Sequence, residues 1–433
     1  MNQMIQTFKN AWKIADIRKK LLFTLFIVLI YRVGAAIPVP YINTEYLQSY
    51  IAAHSGTIFG LLNTLSGSAL SRATLFALSI QPYINASIII QLLTIAIPAL
   101  ERLAKDGGED GKKKIQSITR YTTLGIGLLQ GFGYYTLIRS YGLLNNESVW
   151  AAIVIVMSFT AGAVFLMWLG EQINDRGIGN GISLLIFGGI VARIPSGVRS
   201  ISTLYGDGGI SLVTIILFVI AAVLVTAGVV LIQEGQRRIP VQYAKRVVGR
   251  KMYGRQSTHI PIKVNQAGVI PIIFALSLLQ FPLTITYFLS QDNGFSVWVM
   301  KWLSPSGNPG VWIYGVLNVI LIIFFTYFYT GITFNPNEVA NNMKANGGFI
   351  PGIRPGKATE DYLNKVMSRV TIVGAIFLAL IATLPTIISV MVPALKGIHF
   401  GGTSLLIAVG VALDTVRQLE NQMLMRNYQG FLK

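Results

Sequence analysis

Ten apolar stretches, near residues 21–37, 74–99, 115–138, 150–173, 178–194, 212–232, 268–288, 311–331, 370–392 and 403–419, dominate this sequence. A helix that crosses a bilayer needs roughly 20 mostly apolar residues. A soluble core has no room for ten such segments in one chain of 433 residues. Only 12% of the residues are charged, about half the roughly 25% usual in soluble domains. The expected fold class is therefore an all-α polytopic membrane protein with ten transmembrane helices.

The N-terminus is basic and then apolar, as in a signal peptide. The apolar run is longer than a signal's 7–15 residues, and no clean small-x-small cleavage site follows it. Residues 1–20 are read as a cytosolic amphipathic helix and residues 21–37 as a retained first span. Ten spans put both termini on one side, and the positive-inside rule names that side. All but seven of the 35 Lys and Arg lie on the terminal side or at the span ends beside it; the exceptions are Arg32, Arg72, Arg139, Arg193, Arg199, Lys301 and Lys396. Both termini are expected in the cytosol. Topology thus accounts for much of the +18 net charge, which is no argument for nucleic-acid binding. Five spans per half is an odd number, so a duplicated ancestor gives halves inverted in the membrane with a pathway between them. Those halves are expected at 21–194 and 212–419, joined by an external linker at 195–211 and followed by a cytosolic tail at 420–433.

Several chemistries are missing. There is no cysteine, hence no disulfide framework, thiolate site or cysteine nucleophile. His54, His259 and His399 are isolated from one another, which argues against a metal site. None of the acidic residues lies mid-span; Glu171 and Asp414 come nearest, at span ends. Ion-coupled transporters commonly bury a carboxylate as a coupling group, so its absence weakens a transporter reading. An intramembrane protease needs a Ser/His pair or two Asp within the bilayer, and neither exists. The phrase "GIRPGKA" only imitates a phosphate-binding loop: Pro351 stands where glycine is required, and Ala358 where Ser or Thr is required. No enzyme activity and no cofactor are expected, so a partner must supply the driving energy.

Two cytosolic loops, 233–267 and 332–369, are longer than topology needs. In the first, "RRIPVQYA" and "HIPIKVN" alternate like short strands. The second is rich in Gly and Pro around Arg354. They read either as solvated basic loops or as a docking platform for a large cytosolic partner, since long structured loops are usually functional. The stretch "SIQPYINASIIIQ" at 79–91 sets isoleucines four apart among Gln81, Pro82, Asn85 and Gln91. Isoleucines at that spacing pack or face lipid in most spans. Polar groups and a missing N–H donor in hydrocarbon, however, call for protein or water neighbours.

The segments "GSALSRATLFALSIQPYINASIIIQLL", "DRGIGNGISLLIF", "GQRRIPVQYAKR", "KVNQAGVIPIIFA", "PGIRPGK" and "GGTSLLIAVGVALDT" together resemble the SecY family, the channel subunits of the bacterial Sec translocase. The resemblance runs in order along nearly the whole chain. It implies two inverted five-helix halves around a central pore that passes unfolded secretory polypeptides and releases transmembrane segments sideways. It implies an apolar pore ring at Ile80, Ile84, Ile182, Ile186, Ile273 and Ile407. A plug is implied at about 59–71, with Gly60, Leu61, Leu62, Leu65 and Leu70; Ser68 stands there where glycine is common in the family. On its residues alone that stretch is too short to span and fits a half-helix folded back from outside, with an interfacial loop helix as the alternative. A lateral gate is implied at Asn85, Ile89, Gln91, Ile270 and Phe281. The implied partners are SecE and SecG in the membrane, the SecA ATPase, the ribosome with its rRNA, the unfolded preprotein with its signal peptide, and anionic lipids. The docking contacts would be Arg237, Arg238, Arg246, Arg250, Arg354 and Lys357. The implied location is the bacterial plasma membrane. An inverted-repeat solute transporter and a poreless ribosome scaffold are the alternatives.

Overall fold

Caps and breakers written into the sequence set the ends of the helices. Ser148, Asn180 and Ser211 each accept a hydrogen bond from a backbone N–H three residues on, at 3.1, 3.2 and 3.3 Å, which satisfies donors that a helix start leaves open. The computed structural model describes residues 11–53, 69–140, 142–208, 210–243, 247–248, 251–252, 257–286, 288–289, 293–303, 309–391 and 402–430. In chain order the helices are α1 (Ala15–Gly34), α2 (Thr44–Ala53), α3 (Gln81–Ala96), α4 (Pro98–Lys105), α5 (Gly108–Ser140), α6 (Val149–Arg176), α7 (Gly181–Val191), α8 (Ile194–Gly206) and α9 (Leu212–Glu234). After strands β1 (Gln236–Tyr243), β2 (Val247–Val248), β3 (Lys251–Met252) and β4 (Ser257–Lys263) come α10 (Ile270–Thr286), α11 (Gly294–Trp302), α12 (Gly310–Thr333), α13 (Pro336–Ala345), β5 (Gly348–Phe349), α14 (Lys357–Met391) and α15 (Gly402–Gly430).

Helices occupy most of each expected apolar stretch, yet among the described residues fewer of them pass as spans on length and apolarity alone. Val149–Arg176, Gly181–Gly206, Leu212–Glu234, Gly310–Ala345 and Lys357–Leu384 do, and the bent pair α3–α4 makes a sixth if it is taken as one span. The reasons are local. Basic residues at Arg18, Lys19, Lys20 and Arg32 dilute α1, α10 has only 17 residues, and α15 turns polar beyond Asp414. Helix α1 also runs unbroken through the expected boundary at residue 20, because nothing between Asp16 and Gly34 interrupts it.

The second stretch differs most from expectation. Its helix starts at Gln81, not near 74. Residues 69–80 form turns in which Ala73 and Ser79 hold φ of +44° and +52°. Val39 N donates to Ala73 O at 2.9 Å and Leu75 N donates to Ile37 O at 3.0 Å, so this backbone is committed to the preceding loop and is lost to a helix. Pro82 consequently falls in the first turn of α3, where the missing N–H has no intrahelical acceptor to lose. Pro82 therefore leaves no gap inside the helix, contrary to the expectation from its place in the apolar stretch. At its other end α3 stops before Pro98, and α4 leaves at 105°. The expected external linker at 195–211 is largely helical, as α8, which buries none of its own residues; Ile210, beyond its end, is buried.

Among the preceding helices α1 packs on α6 and α7, α3 on α5 and α6, and α6 on α5 and α7; among the later ones α12 packs on α10 and α14, and α15 on α9 and α14. The groups meet where α10 touches α3 and α5, and where α7 touches α15. One large apolar cluster draws on both groups, and a second gathers around Val39, Leu70, Tyr134 and Phe159. Threonines within the helices return their hydroxyls to the carbonyl four residues back, as Thr160 does to Val156 at 2.8 Å and Thr330 to Thr326 at 2.7 Å. That satisfies them without a partner helix. Helix α9 buries only Val229 and Gln233.

The strand-like alternation in the 233–267 loop is real. Strand β1 pairs antiparallel with β4 from Gln236↔Lys263 to Gln242↔Ser257, and its far end pairs with β5 at Gln242↔Phe349. Both long loops therefore build one three-stranded sheet, in the order β4-β1-β5. Its apolar face, with Ile239, Val241 and Ile262, packs on Met343, Ile350 and Leu363.

Close packing yields a first prediction. A Cβ at Gly162 of α6 would sit 1.9 Å from the backbone oxygen of Leu75, and a backbone committed to its own bonds has little freedom to retreat. Gly162→Ala is expected to cost at least about 1–3 kcal/mol, the usual range for overpacking. Thermal unfolding in detergent measures it, and a melting temperature equal to the parent's refutes the close approach.

Candidate functional site

Six isoleucines converge from four helices and stand at the centre of the larger cluster. Ile80 (3% exposed), Ile186 and Ile407 (2% exposed) are buried in it, and Ile84, Ile182 and Ile273 pack against it. Helical geometry explains the pairs: Ile80 caps α3 and its carbonyl accepts from Ile84 N at 3.1 Å, one turn in, and Ile182 and Ile186 are one turn apart on α7. Between them lies a cavity of about 30 Å³, lined by Ile80, Ile84, Ile186, Ile273 and Ile407. That is room for a water or two. Ile182 does not line it; a Cβ on Gly170 of α6 would lie 2.5 Å from Ile182 Cδ1, so this side chain is turned onto α6.

The cavity has further lining that sequence reasoning left out: Ser79, Gln81, Leu276, Ser277, Gln280 and Tyr314. A usable signal existed for three of these, since Leu276, Ser277 and Gln280 follow Ile273 at i+3, i+4 and i+7 on one helix face. Tyr314, near the start of α12, had none. Among the described residues no carboxylate lines the cavity. Glu171, the buried acid, lies elsewhere: its Oε1 accepts from Arg120 Nε at 2.9 Å and from Gln116 Nε2 at 3.1 Å, tying α6 to α5. Among the described residues no cluster of His, Cys, Asp or Glu can hold a metal ion.

The seam between α3 and α10 opens from this cavity. Gln81 Nε2 donates to Gln280 Oε1 across it. Asn85, Gln91 and Ile270 are half-buried along these helices, and Ile89 is exposed. Phe281 is 56% exposed: one residue beyond Gln280, it is turned about 100° around α10 and points away from the seam. Pro282 inside α10 removes a donor from that helix.

Leu70, at the end of the expected plug, is 5% exposed and sits in the second cluster, where its carbonyl accepts from Tyr134 Oη at 3.0 Å. Gly60, Leu61, Leu62 and Leu65 lie outside the described residues, as do Arg246 and Arg250. Of the other basic candidates, Arg237, Arg238, Arg354 and Lys357 are all exposed. Arg354 is presented on a turn between Gly352 (φ +81°) and Gly356 (φ +102°), left-handed positions that favour glycine. Thr359 Oγ1 donates to its carbonyl at 2.9 Å.

With this geometry established, the resemblances are informative. A family model described as SecY matches residues 74–416. "Protein translocase subunit SecY" of Mycobacterium bovis is 47% identical over 447 residues, covering 99% of this chain and all of the relative. In fold, the chain is similar to the solved structure "The structure of a protein conducting channel", with a TM-score of 0.67 at 21% identity over 94% of this chain and 92% of that one. It is similar also to "Sec61 in the Canine ribosome-channel complex from the endoplasmic reticulum", with a TM-score of 0.64 at 20% identity over the same shares.

Proposed function

Since this chain belongs to the SecY family and is the protein-conducting subunit of a translocase, we propose that the isoleucine-lined cavity is its pore, held shut. One observation carries the reading: five isoleucines from α3, α7, α10 and α15, helices of both packing groups, close on a single cavity of about 30 Å³. β-branched side chains are stiff at χ1, and a narrow ring of them dewets. Such a ring blocks ions while offering an extended polypeptide no hydrogen bonds to stick to.

The ten expected spans then form two inverted five-helix halves, 21–194 and 212–419, with the seam between α3 and α10 as the sideways exit. The Gln81–Gln280 bond supports that exit, since a passing apolar segment can replace it at modest cost; interhelical polar contacts in membranes average about 0.6 kcal/mol. The segment around 59–71 is the plug, with Leu70 as its anchored end. The chain is a multi-pass membrane protein; that its curated relatives are bacterial supports a plasma-membrane location, and the skew of Lys and Arg to one side supports both termini inside. SecE and SecG complete the membrane complex, and SecA or the ribosome docks on the sheet; the similarity to Sec61 in a ribosome–channel complex supports the latter. Exposed arginines on the sheet suit acidic groups and rRNA phosphates, and anionic lipids beside them. The runner-up, an inverted-repeat solute transporter, finds no coupling carboxylate among the described residues that line the cavity. Reconstituted channels distinguish the two: conductance should be blocked by an arrested unfolded polypeptide in the pore. Uptake of a small solute with no such block would overturn the channel reading.

Docking carries its own prediction. Arginine's planar fork bonds carboxylates and phosphates bidentately, and Arg354 stands free on its turn. Arg354→Glu is expected to abolish most ATPase-driven export while the membrane complex assembles normally. Normal export by that variant, measured on inverted vesicles, would remove Arg354 from the docking surface.

A further inference from the structure

At one end of the bundle two neighbouring residues of α15 reach in different directions. Arg417 Nη2 donates to Gln233 O at 3.0 Å and to Glu234 Oε1 at 2.7 Å. Those residues end α9, and the next ones root the sheet: Val264 N donates to Gly235 O at 2.9 Å, and β1 begins at Gln236. Gln418 Oε1 accepts from Gly179 N at 2.9 Å, in the short loop that starts α7. The same loop is held from the other side, where Ile178 N donates to Thr24 Oγ1 of α1 at 3.1 Å. Helix α7 carries Ile186 of the cavity, and α15 carries Ile407, ten residues or about 15 Å before Arg417.

Two features make this junction a switch instead of a simple brace. The Gln418–Gly179 bond is exposed, so water replaces it readily when the helices part. Gln233 Nε2 is buried without an acceptor, and an unmet buried donor costs the arrangement that holds it. That unmet donor lies against α15, where a Cβ on Gly410 would sit 2.8 Å from Gln233 Nε2, so this local cost belongs to the contact between α9 and α15. Arg417 is only 26% exposed, which shields its contacts to α9 more than the neighbouring bond is shielded.

We propose that Arg417 and Gln418 form a two-sided latch: Arg417 passes movement of the docking sheet into α15, and Gln418 holds α7 against α15 until that movement comes. The inference rests on the channel reading above. It assigns opposite effects to adjacent residues, which a merely structural role does not produce.

The test uses the full chain with its membrane partners in planar bilayers, with and without the driving ATPase. Gln418→Met keeps the size and loses the acceptor; resting conductance should rise roughly three- to tenfold, the worth of one hydrogen bond. Gln418→Glu keeps an acceptor and should restore the parent's resting level. Arg417→Gln should bind the ATPase with the parent's affinity, while the conductance step on binding falls by a similar factor. The double variant should leak like Gln418→Met and show no step. Gln418→Ser, too short to reach Gly179, gives the same readout if Met prevents assembly. Equal behaviour of the Met and Glu variants, or the same direction of change at both positions, would overturn the latch. A parent that shows no ATPase-dependent conductance counts instead against the channel reading.

Discussion

Channels carrying Ile80→Ser together with Ile407→Ser will pass ions at rest. Both side chains are almost wholly buried in the central cluster, and both line the cavity of about 30 Å³. Truncating a buried isoleucine costs about 2–5 kcal/mol through lost transfer energy and the void left behind. That cost falls on the closed state, because an open ring has already given up these contacts. A net shift of about 3 kcal/mol is more than a hundredfold in the balance of closed and open forms. The serine hydroxyls also make a larger cavity wettable, so even closed channels lose their barrier. Planar-bilayer recording should show a steady leak that the single Ile182→Ser variant lacks, since Ile182 is turned onto α6. A double variant as tight as the parent would mean that these isoleucines are not the seal.

The seam allows an equally large effect. No cysteine exists in the native chain, so Gln81→Cys with Gln280→Cys introduces the only two thiols. Their parent side chains touch across α3 and α10, within reach of a short bifunctional thiol reagent. Cross-linking should stop both translocation and sideways release of apolar segments almost completely. A long flexible reagent on the same pair should leave translocation close to the parent rate. Asn85→Cys with Phe281→Cys should cross-link poorly by direct oxidation, because Phe281 points away from the seam and a disulfide needs Cα atoms within about 7 Å. Continued export through an efficiently short-linked Gln81/Gln280 pair would place the exit elsewhere.

Much of this arrangement was legible in the sequence, and the failures have physical causes. Hydropathy located the long helices because lipid forces backbone bonds to close within each segment. The strands of the sheet were legible from period-2 alternation, which survives even in a basic loop. The joining of the two loops was not, because β5 is two residues long and leaves no pattern. The start of α3 was misjudged because Leu75–Ile80 has ordinary helix-forming composition; only its backbone bonding to Ile37–Val39 prevents a helix, and tertiary pairing is invisible to a local window. Phe281 was chosen for the seam, whereas the bond across it is made by its neighbour Gln280, offset from Phe281 by about 100° around the helix. Ile182 shares a helix face with Ile186, yet the small residue at Gly170 gives it a berth on α6 instead.

The sheet also imposes an order in time. Strand β1 meets β5 at Gln242↔Phe349, a separation of 107 residues, with α10, α11, α12 and α13 in between. At a synthesis rate of about 5–20 residues per second, β5 leaves the ribosome roughly 5–20 s after β1. During that interval one edge of β1 has no partner, and an unpaired edge invites pairing with other chains. Most of the apolar helices are made before the platform can close. A newly made copy thus completes its sheet late in its own insertion; on the docking proposal above, half-built copies then do not compete with finished ones for a cytosolic partner.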